Sequence, residues 1–312
     1  MDCPHDKTIS CRNGALARLG RVHDRTSTGG RAVKTRPQWP VALTIAGSDS
    51  GGGAGLQADL KTFAALGAHG TVAITCVTAQ NPRAVVGIQA VRPEMVERQI
   101  EAVFAELPPR AVKTGMLFSA AIIRTVAAFF GKGNRPPLVV DPVSVATSGA
   151  QLLKPAAVRV LLEELLPRAI LVTPNLDEVR LLIGLEVRDV EDMRRAARTF
   201  HQRFGCAALI KGGHLRGVSE AADIFYDGRE ELLLSAPFVR GVSTHGTGCT
   251  YSAAITAGLA SGATLSQAVV RAKDFITNAI ASSYACGKFT VLNHQNTFAS
   301  FARRKAKPGF KV

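Results

Sequence analysis

The sequence predicts an α/β fold in three layers, in which helices cover both faces of a central, mostly parallel β-sheet. Short, continuous apolar segments alternate with amphipathic segments of helical length from residue 41 onward. Strands that are buried on both faces give continuous apolar segments, and their alternation with helices is typical of a parallel sheet. The chain has 312 residues, 46% of them hydrophobic, which is enough to bury such a core.

The individual elements follow from these apolar patterns. The segment 41–47 (VALTIAG) predicts the first strand, and Leu56, Leu60 and Phe63 then recur with helical spacing. Further strands are predicted at 71–77, 111–115, 137–142, 169–173 and 207–213, with two shorter ones near 223–227 and 231–235. Further helices are predicted near 93–106, 119–130, 154–165, 175–183 and 189–204, followed by two closing helices.

The positive charge of the chain is concentrated at its two ends. The formal net charge is +14, to which residues 1–40 and 295–312 contribute +5 each and residues 41–294 only +4. Segments rich in Arg, Lys, Gly and Ser bury little apolar surface, so we expect disordered basic extensions at 1–40 and 295–312 around one domain at 41–294. Because the domain itself is nearly neutral, a nucleic-acid partner is disfavoured.

Neither a membrane nor an oxidising compartment is indicated by the sequence. No stretch approaches the roughly 18 uninterrupted apolar residues of a membrane span, and the first forty residues lack the apolar segment of a secretory signal. The six cysteines show no metal-ligand or redox-motif spacing, so reduced thiols are expected. We therefore expect a soluble protein of the cytoplasm.

Polar and glycine-rich loops follow the predicted strands. In α/β sheets ligands bind beyond the carboxyl ends of the strands, so these loops form the candidate site. They read GSDSGGGAG (47–55), TAQN (78–81), GM (115–116), DPV (141–143), TPNLDE (173–178), KGGH (211–214) and STHGTGC (243–249).

The segment 244–249 (THGTGC) is a candidate anion site because it directly precedes a helix of small residues. Gly246 and Gly248 allow the backbone to approach an anion, and the free amides of a helix start favour negative charge. A glycine-rich turn that merely packs a helix against the sheet is the alternative. Neither a Walker A motif nor a dinucleotide fingerprint is present, since Leu60 replaces the second Walker glycine and GGGAG is followed by Leu, Gln and Ala.

Seven motifs, taken in chain order, resemble those of one enzyme family. They are AGSDSGGGAGLQADLKTFAALGAHG, TAQN, KTGM, VVDPV, TPNLDE, KGGH and STHGTGCTYSAA, within residues 41–294. The set resembles hydroxymethylpyrimidine/phosphomethylpyrimidine kinase of thiamine biosynthesis, in the ribokinase-like superfamily. The segment 286–294 departs from the Gly- and His-rich ending of that family.

The resemblance implies a fold, an activity and partners. It implies the ribokinase-like αβα fold and ATP-dependent phosphorylation of 4-amino-5-hydroxymethyl-2-methylpyrimidine, followed by phosphorylation of the monophosphate to the diphosphate. ATP and Mg²⁺ are the implied cofactors, and a homodimer is the implied assembly.

The catalytic residues implied by the resemblance lie in the anion motif. Cys249 stands where many superfamily members have an Asp base, and a thiolate beside backbone amides should have a lowered pKa and accept a proton. The amides of Gly246, Thr247, Gly248 and Cys249 would stabilise the transferring phosphoryl group. A small apolar residue that fills the first helical turn is the alternative for Cys249.

The substrate residues implied by the resemblance come from the earlier loops. Gln80 carries a donor and an acceptor that can pair with the ring nitrogen and exocyclic amine of an aminopyrimidine, although it could instead satisfy loop backbone. Asp59 matches a substrate-side residue of the family, although its role could instead be simply to complement a helix dipole. Met116 resembles the residues that form the apolar wall of the site in the family, and it could equally be a core residue. Small residues that leave room for a flat ring complete the set: Gly47, Ala54 and Thr78.

The nucleotide and metal residues implied by the resemblance are polar residues of the later loops. Lys211, Thr244 and Asn175 match nucleotide-side positions, and Asp141 and Glu178 are expected near magnesium, which prefers carboxylate and water ligands. Asn175 and Glu178 also fit a helix cap with a reciprocal acid, and the two roles are compatible. His214 and His245 are expected to be structural or to contact the nucleotide, without a catalytic role.

Three other functions compete with this interpretation. Pyridoxal kinase, of the same superfamily, phosphorylates a hydroxymethyl group on another flat ring. A sugar kinase is disfavoured because residue 47 leads almost directly into the first helix, with no inserted lid. A non-catalytic metabolite sensor is disfavoured because it would not need the complete anion motif.

Overall fold

The computed structural model describes residues 38–144, 153–213, 215, 220–239, 241–242 and 244–295. Its strands are β1 (Val41–Asp49), β2 (His69–Gln80), β3 (Val85–Ala90), β4 (Ala111–Thr114), β5 (Leu138–Val140), β6 (Leu171–Val172), β7 (Ala207–Lys211), β8 (Glu220–Tyr226), β9 (Glu231–Pro237), β10 (Tyr284–Cys286) and β11 (Phe289–Val291). Its α-helices are α1 (Gly55–Ala65), α2 (Pro93–Glu106), α3 (Ala120–Phe130), α4 (Pro155–Val160), α5 (Leu176–Ile183), α6 (Val190–Phe204), α7 (Thr247–Ala260) and α8 (Leu265–Ala281).

One large sheet organises the described residues. Its strand order is β3-β2-β1-β4-β5-β6-β7-β8-β9. The pairs from β2 through β7 are parallel, whereas β3, β8 and β9 join through antiparallel pairs at the two edges. The predicted mostly parallel sheet is confirmed, and the parallel strands direct their carboxyl ends to one edge of the sheet.

Helices cover both faces of this sheet. Leu138 and Val140 of β5 pack into the core beneath α2 to α6, while Val139 between them packs into the core beneath α7 and α8. Because successive side chains of a strand point to opposite faces, a continuous apolar strand supplies both cores. Helix α1 packs on the same face as α7, where Phe63 and Ala253 meet.

The structure differs from the sequence prediction in several elements. Strand β3 and the β10–β11 hairpin were not predicted. Of the helix expected over 154–165, only the first part is α-helical, as α4, and a π-helical turn from Leu161 to Leu165 follows it. Strand β7 ends at Lys211 rather than continuing to 213, although the amide of Gly212 still bonds β8, at the carbonyl of Ala222 and the carboxylate of Asp223. No helix within the described residues combines the length and apolar character needed to cross a bilayer.

The basic extensions predicted at the two ends lie almost entirely outside the described residues, and so does His214. Their predicted disorder, and the role left open for His214, stay predictions.

Candidate active site

A cavity of about 440 Å³ opens at the carboxyl ends of the parallel strands. The loops after β1, β2, β4, β5, β6 and β7 and the first turn of α7 line it. All the residues predicted for the site line this cavity except Asp59: Gly47, Ala54, Thr78, Gln80, Met116, Asp141, Asn175, Glu178, Lys211, Thr244, Gly246, Thr247, Gly248 and Cys249. The sequence motifs therefore converge on one site.

Asp49 holds the glycine-rich loop between β1 and α1 in place. Its carboxylate accepts hydrogen bonds from the amides of Gly51, Gly53 and Ala54 at 2.8 to 3.1 Å. It also lies 3.3 Å from Nε2 of His245 in the anion motif. Burial opposes ionisation of Asp49, but His245 and these amides outweigh it and lower the pKa of the carboxyl. The carboxylate of Asp49 thus ties the first loop to the anion motif.

The backbone of Gln80 is clamped so that its side chain lines the cavity. The hydroxyl of Ser50 donates to the carbonyl of Gln80 at 2.6 Å and accepts from its amide at 2.8 Å. The Thr78 hydroxyl lies 2.8 Å from the carbonyl oxygen of Ser48 and 3.2 Å from Oε1 of Gln80. The end of β2 therefore presents a carboxamide whose backbone is fixed at two points.

Gly47 and Met116 form part of the wall near the end of β1. A Cβ at Gly47 would lie 2.7 Å from Sγ of Cys76 and 3.7 Å from Sδ of Met116. Glycine at this position is therefore required by packing against Cys76, in addition to any space it leaves for a ring. The backbone carbonyl of Met116 is held by the Thr75 hydroxyl at 2.6 Å.

The anion motif forms the start of α7. Gly246 has a φ of 83°, which favours glycine, and a Cβ there would collide with the carbonyl oxygen of Gly53. Among the described residues, no side chain caps the helix. Since the first amides of a helix have no partner within it, the first turn of α7 offers N–H donors to an anion in the cavity. The amide of Thr247 is the exception, because it donates to the carbonyl of Thr244 at 3.2 Å.

Cys249 lies in this first turn and is half-buried against the start of α1. Burial raises the pKa of the Cys249 thiol to about 11, more than the Lys113 ammonium and the Gly55 amide lower it. The expected lowered pKa is therefore wrong. Desolvation of the thiolate, with the charges of Asp59 and Asp141 acting in the same direction, outweighs Lys113 and Gly55, so the thiol is protonated at neutral pH.

Asp59 does not line the cavity, in contrast to the expectation that it contacts substrate. Its carboxylate is fully buried, 2.6 Å from Nζ of Lys113, and accepts from the Thr44 hydroxyl at 2.7 Å. Burial would lower the pKa of Lys113, but Asp59 raises it above its ordinary value and keeps the ammonium charged. Asp59 thus acts through Lys113, whose field reaches Cys249.

Asp141 and Lys211 meet beneath Gly248 of the anion motif. Nζ of Lys211 lies 3.2 Å from Oδ1 of Asp141, and the Ser252 hydroxyl of α7 donates to Oδ2 at 3.1 Å. A Cβ at Gly248 would stand 3.1 Å from Nζ of Lys211. Burial opposes ionisation of Asp141, but Lys211 and Lys113 outweigh it and lower the pKa of the carboxyl.

Asn175 and Glu178 cap α5, as their spacing predicts. The Asn175 side chain accepts from the amide of Glu178, and the Glu178 carboxylate accepts from the amide of Asn175, both at 2.9 Å. The amide of Ser144 also donates to Glu178 at 3.1 Å. Burial and the neighbouring Asp141 raise the pKa of Glu178, although Lys211 opposes them. The cap fixes a second carboxylate at the cavity wall.

A second cavity of about 150 Å³ adjoins the first. The two share Lys211, Gly213, Thr244, Thr247 and Gly248. Apolar side chains supply much of the remaining wall: Ala236, Pro237, Phe238, Val239, Ile276 and Ile280. The sequence did not reveal this cavity, because its wall has the composition of ordinary core.

A buried ion pair also lines the second cavity. Lys273 of α8 lies 2.8 Å from Asp223 of β8, and the other oxygen of Asp223 accepts from the amide of Gly212 at 3.0 Å. Because Gly212 follows Lys211, this pair anchors the turn that carries Lys211.

Sequence reasoning gave no individual role to several residues that line the main cavity: Ser48, Asp49, Gly55, Val85, Val143, Asp177 and Gly213. His245, expected to be structural or to contact the nucleotide, also lines it. Asp49 could have been found, since an acid inside a glycine-rich loop can order the loop amides. Val143 has a φ of 40°, an uncommon conformation for a β-branched residue that no sequence signal indicated.

His294 connects the end of the domain to the anion motif. Its Nε2 lies 2.9 Å from the hydroxyl of Thr250, the residue after Cys249. Burial, and secondarily the charge of Lys61, lowers the pKa of His294 to about 4. Although segment 286–294 departs from the family pattern, its last histidine packs against the first turn of α7.

Comparison with known proteins identifies the family. The sequence profile described as phosphomethylpyrimidine kinase matches residues 49–294. The chain belongs to this family. The resemblance found in the motifs is confirmed.

Two curated members of the phosphomethylpyrimidine kinase family illustrate the extent of the similarity. The hydroxymethylpyrimidine/phosphomethylpyrimidine kinase of Rhizobium meliloti is 49% identical over 245 residues, which are 78% of this chain and 91% of that protein. The thiamine biosynthesis bifunctional protein ThiED of Geobacter sulfurreducens is 48% identical over 246 residues. The aligned region is 79% of this chain but only 50% of the bifunctional protein, so the chain spans about half the length of that relative.

Solved structures confirm the ribokinase-like fold. The ADP complex of Bacillus subtilis pyridoxal kinase superimposes with a TM-score of 0.77 at 37% identity, covering 84% of this chain and 99% of that one. The family fold is thus shared with kinases named for a different flat ring.

Proposed function

We propose that this chain transfers the γ-phosphoryl group of ATP to the hydroxymethyl oxygen of 4-amino-5-hydroxymethyl-2-methylpyrimidine and then phosphorylates the monophosphate. One observation carries the proposal: Gln80, which can pair with an aminopyrimidine, and the anion motif line the same cavity. The Rhizobium meliloti relative, named for this activity, supports it at 49% identity.

The ring binds beside Gln80 at the end of β2. The carboxamide offers one acceptor and one donor side by side, which match the exocyclic amine and the adjacent ring nitrogen of the substrate. Met116 and the backbone at Gly47 and Ala54 bound the ring, since these residues line the same cavity.

The phosphoryl group passes beside the first turn of α7. The amides of this turn are fixed before the substrate arrives, because Gly246 packs on Gly53 and His245 contacts Asp49. Lys211, close to Gly248, adds a positive charge at the same place. Donors that are already oriented toward developing charge supply much of the rate in phosphoryl transfer.

ATP lies across both cavities in this proposal. Its base occupies the apolar second cavity and its phosphates approach Lys211, Thr244 and Thr247, which line both cavities. Asn175, at the cap of α5, lines the main cavity and forms an isolated β-bridge with Lys211. The ADP complex of the Bacillus subtilis kinase supports a nucleotide in this fold.

The residues present fit a magnesium ion bound mainly through phosphates. Asp141 and Glu178 are two carboxylates on the cavity wall, and within the described residues no group of three or more His, Cys, Asp or Glu forms a complete metal cage. Mg²⁺ is commonly held by one or two carboxylates together with phosphates and water. When bound, the ion would neutralise phosphate charge.

Cys249 is the proposed base for the hydroxymethyl proton. Its sulfur accepts a hydrogen bond from the amide of Gly55, and the charge of Lys113 favours the thiolate. The thiol must first lose its own proton, because only the thiolate can accept one. The buried ammonium of Lys113 assists that loss, whereas the charge of Asp59 opposes it.

Pyridoxal kinase is the second candidate function. The similarity to the Bacillus subtilis pyridoxal kinase structure, at 37% identity, favours it. Both substrates present a hydroxymethyl group on a flat ring, so the anion motif serves either one. The choice depends on the groups at the edge of the ring that face Gln80.

Acceptor-dependent ADP formation tests the proposed function. The purified chain is incubated with ATP and Mg²⁺ and with the pyrimidine, with pyridoxal, or without an acceptor. We expect ADP formation that depends on the pyrimidine. Equal ADP release in all three reactions would contradict a specific kinase, and release with pyridoxal alone would establish the second candidate.

A further inference from the structure

The hydroxyl of Thr78 touches two groups that are both placed as acceptors. The carbonyl oxygen of Ser48 lies 2.8 Å away and Oε1 of Gln80 lies 3.2 Å away. A hydroxyl has one proton and two lone pairs, so it can donate to only one of these groups. These contacts therefore also determine which atom of the Gln80 carboxamide faces Thr78.

The carbonyl of Ser48 can only accept a hydrogen bond, and it is the closer of the two groups. The Thr78 proton is therefore directed to Ser48, and a lone pair of Thr78 faces Gln80. The oxygen and nitrogen of a carboxamide have almost the same shape, so hydrogen bonding decides which one occupies which position. Turning the carboxamide of Gln80 by half a rotation brings Nε2 to Thr78 and satisfies both contacts.

This orientation fixes the order of donor and acceptor that Gln80 shows to the cavity. Within the described residues, no second protein group bonds the Gln80 side chain, so Oε1 is left to face a ligand. One N–H of the carboxamide bonds Thr78, and the other stays beside Oε1. The exposed edge therefore presents an acceptor and, next to it, a donor.

We propose that Thr78 is a specificity-determining positioning residue, which locks the carboxamide of Gln80 so that the site selects a ring with an exocyclic donor next to a ring acceptor. The inference rests on the proposed function. A 4-aminopyrimidine has this pattern, since its amine donates and its neighbouring nitrogen accepts. The corresponding 4-oxo ring has the reverse pattern, an acceptor beside an N–H donor, and pyridoxal has no exocyclic amine.

Two matched substrates and two variants test the role of Thr78. The substrates are 4-amino-5-hydroxymethyl-2-methylpyrimidine and its 4-oxo analogue, which differ only at the edge that faces Gln80. Thr78→Val removes the hydroxyl at constant shape, and Thr78→Ser retains it as the control. The readout is the ratio of kcat/KM for the two substrates. The ratio of their dissociation constants, measured by calorimetry, is the second readout.

We expect the wild-type chain and Thr78→Ser to prefer the amino ring by roughly 10²-fold or more, because a site built for one hydrogen-bond pattern strongly rejects the other. In Thr78→Val the carboxamide can turn freely, so the preference should fall by about tenfold or more. A merely structural role would lower both kcat/KM values together and leave their ratio unchanged. Thr78→Ala makes the same deletion if the Val variant does not fold.

Two results would overturn the inference: an unchanged ratio in Thr78→Val, or a wild-type chain that takes both rings equally well. Failure of the proposed function gives a different result, since the wild-type chain would then neither phosphorylate nor bind the amino ring. That outcome would remove the inference together with the function.

Discussion

Replacing Cys249 by Ala tests whether the thiol is the base. The pKa of about 11 leaves roughly one part in 10⁴ of the thiol ionised at pH 7. If the reaction needs the thiolate, kcat/KM should rise about tenfold for each pH unit from 7 to 10, because this parameter reports ionisation in the free enzyme. The variant should lose about 10²- to 10⁴-fold in turnover while ATP and the pyrimidine still bind.

The assay is ADP release at saturating ATP and Mg²⁺ between pH 6 and 10, with binding of both substrates measured separately. Cys249→Ser is the matched control, since a hydroxyl can accept the Gly55 amide but does not ionise in this range. Both variants should lack the pH-dependent rise, whereas a change caused by ATP or Mg²⁺ would persist in them.

Two results would refute the base role of Cys249. One is an Ala variant with turnover within a few-fold of wild type and the same pH profile. The other is a wild-type profile that is flat from pH 7 to 10, which would show that no group with so high a pKa limits the reaction.

Three further predictions concern other parts of the chain. Gln80→Leu should weaken pyrimidine binding by roughly 2–4 kcal/mol and leave ATP binding unchanged, because the polar edge of the ring loses its partners; equal pyrimidine affinity in calorimetry would remove Gln80 from the site. The pKa of His294 is lowered from 6.5 to about 4, so its contribution to stability is complete above pH 6.5 and is lost as pH falls toward 4. Between pH 6.5 and pH 4, the free energy of unfolding measured in urea should therefore fall by about 3 kcal/mol less in His294→Gln than in wild type. An equal fall in both proteins would contradict this. Deletion of residues 1–38 should leave thermal stability and turnover intact, since charge and composition place that segment outside the domain; loss of folded protein would show the opposite.

The convergence of the site could be predicted because it depends on local sequence. Each loop follows an apolar strand, and parallel strands end at one edge of the sheet, so the motifs were bound to meet there. The cap of α5 by Asn175 and Glu178 is equally local, since it involves residues three positions apart. These features need no knowledge of how distant segments pack.

The role of Asp59 could not be predicted from local sequence. Its position one turn into α1 does not show which way the carboxylate points. Its partner Lys113 comes from β4, 54 residues away in the chain. Only packing of α1 on the sheet shows that the acid is in a buried ion pair and does not touch the cavity.

The prediction of a lowered pKa for Cys249 was wrong for a related reason. The sequence shows a helix start and backbone amides, both of which favour a thiolate. It does not show how strongly α1 and α7 together desolvate the sulfur, and in the structure that desolvation dominates. A favourable local motif can thus be overruled by burial that only tertiary packing produces.

Edge elements were the least predictable part of the fold. Strand β3 is mostly exposed and contains Gly87, so it lacks the continuous apolar segment of a central strand. The hairpin of β10 and β11 has only three residues in each strand and is partly exposed. Their pairing depends on neighbouring strands rather than on their own patterns.

A product time course tests the central claim most directly. The chain is given ATP, Mg²⁺ and equimolar amounts of 4-amino-5-hydroxymethyl-2-methylpyrimidine and pyridoxal, and the products are followed by mass spectrometry. We predict that the pyrimidine monophosphate appears first and the diphosphate follows, with little pyridoxal phosphate. Pyridoxal phosphate as the main product, or ADP without any phosphorylated pyrimidine, would contradict the claim that this cavity joins aminopyrimidine recognition to phosphoryl transfer.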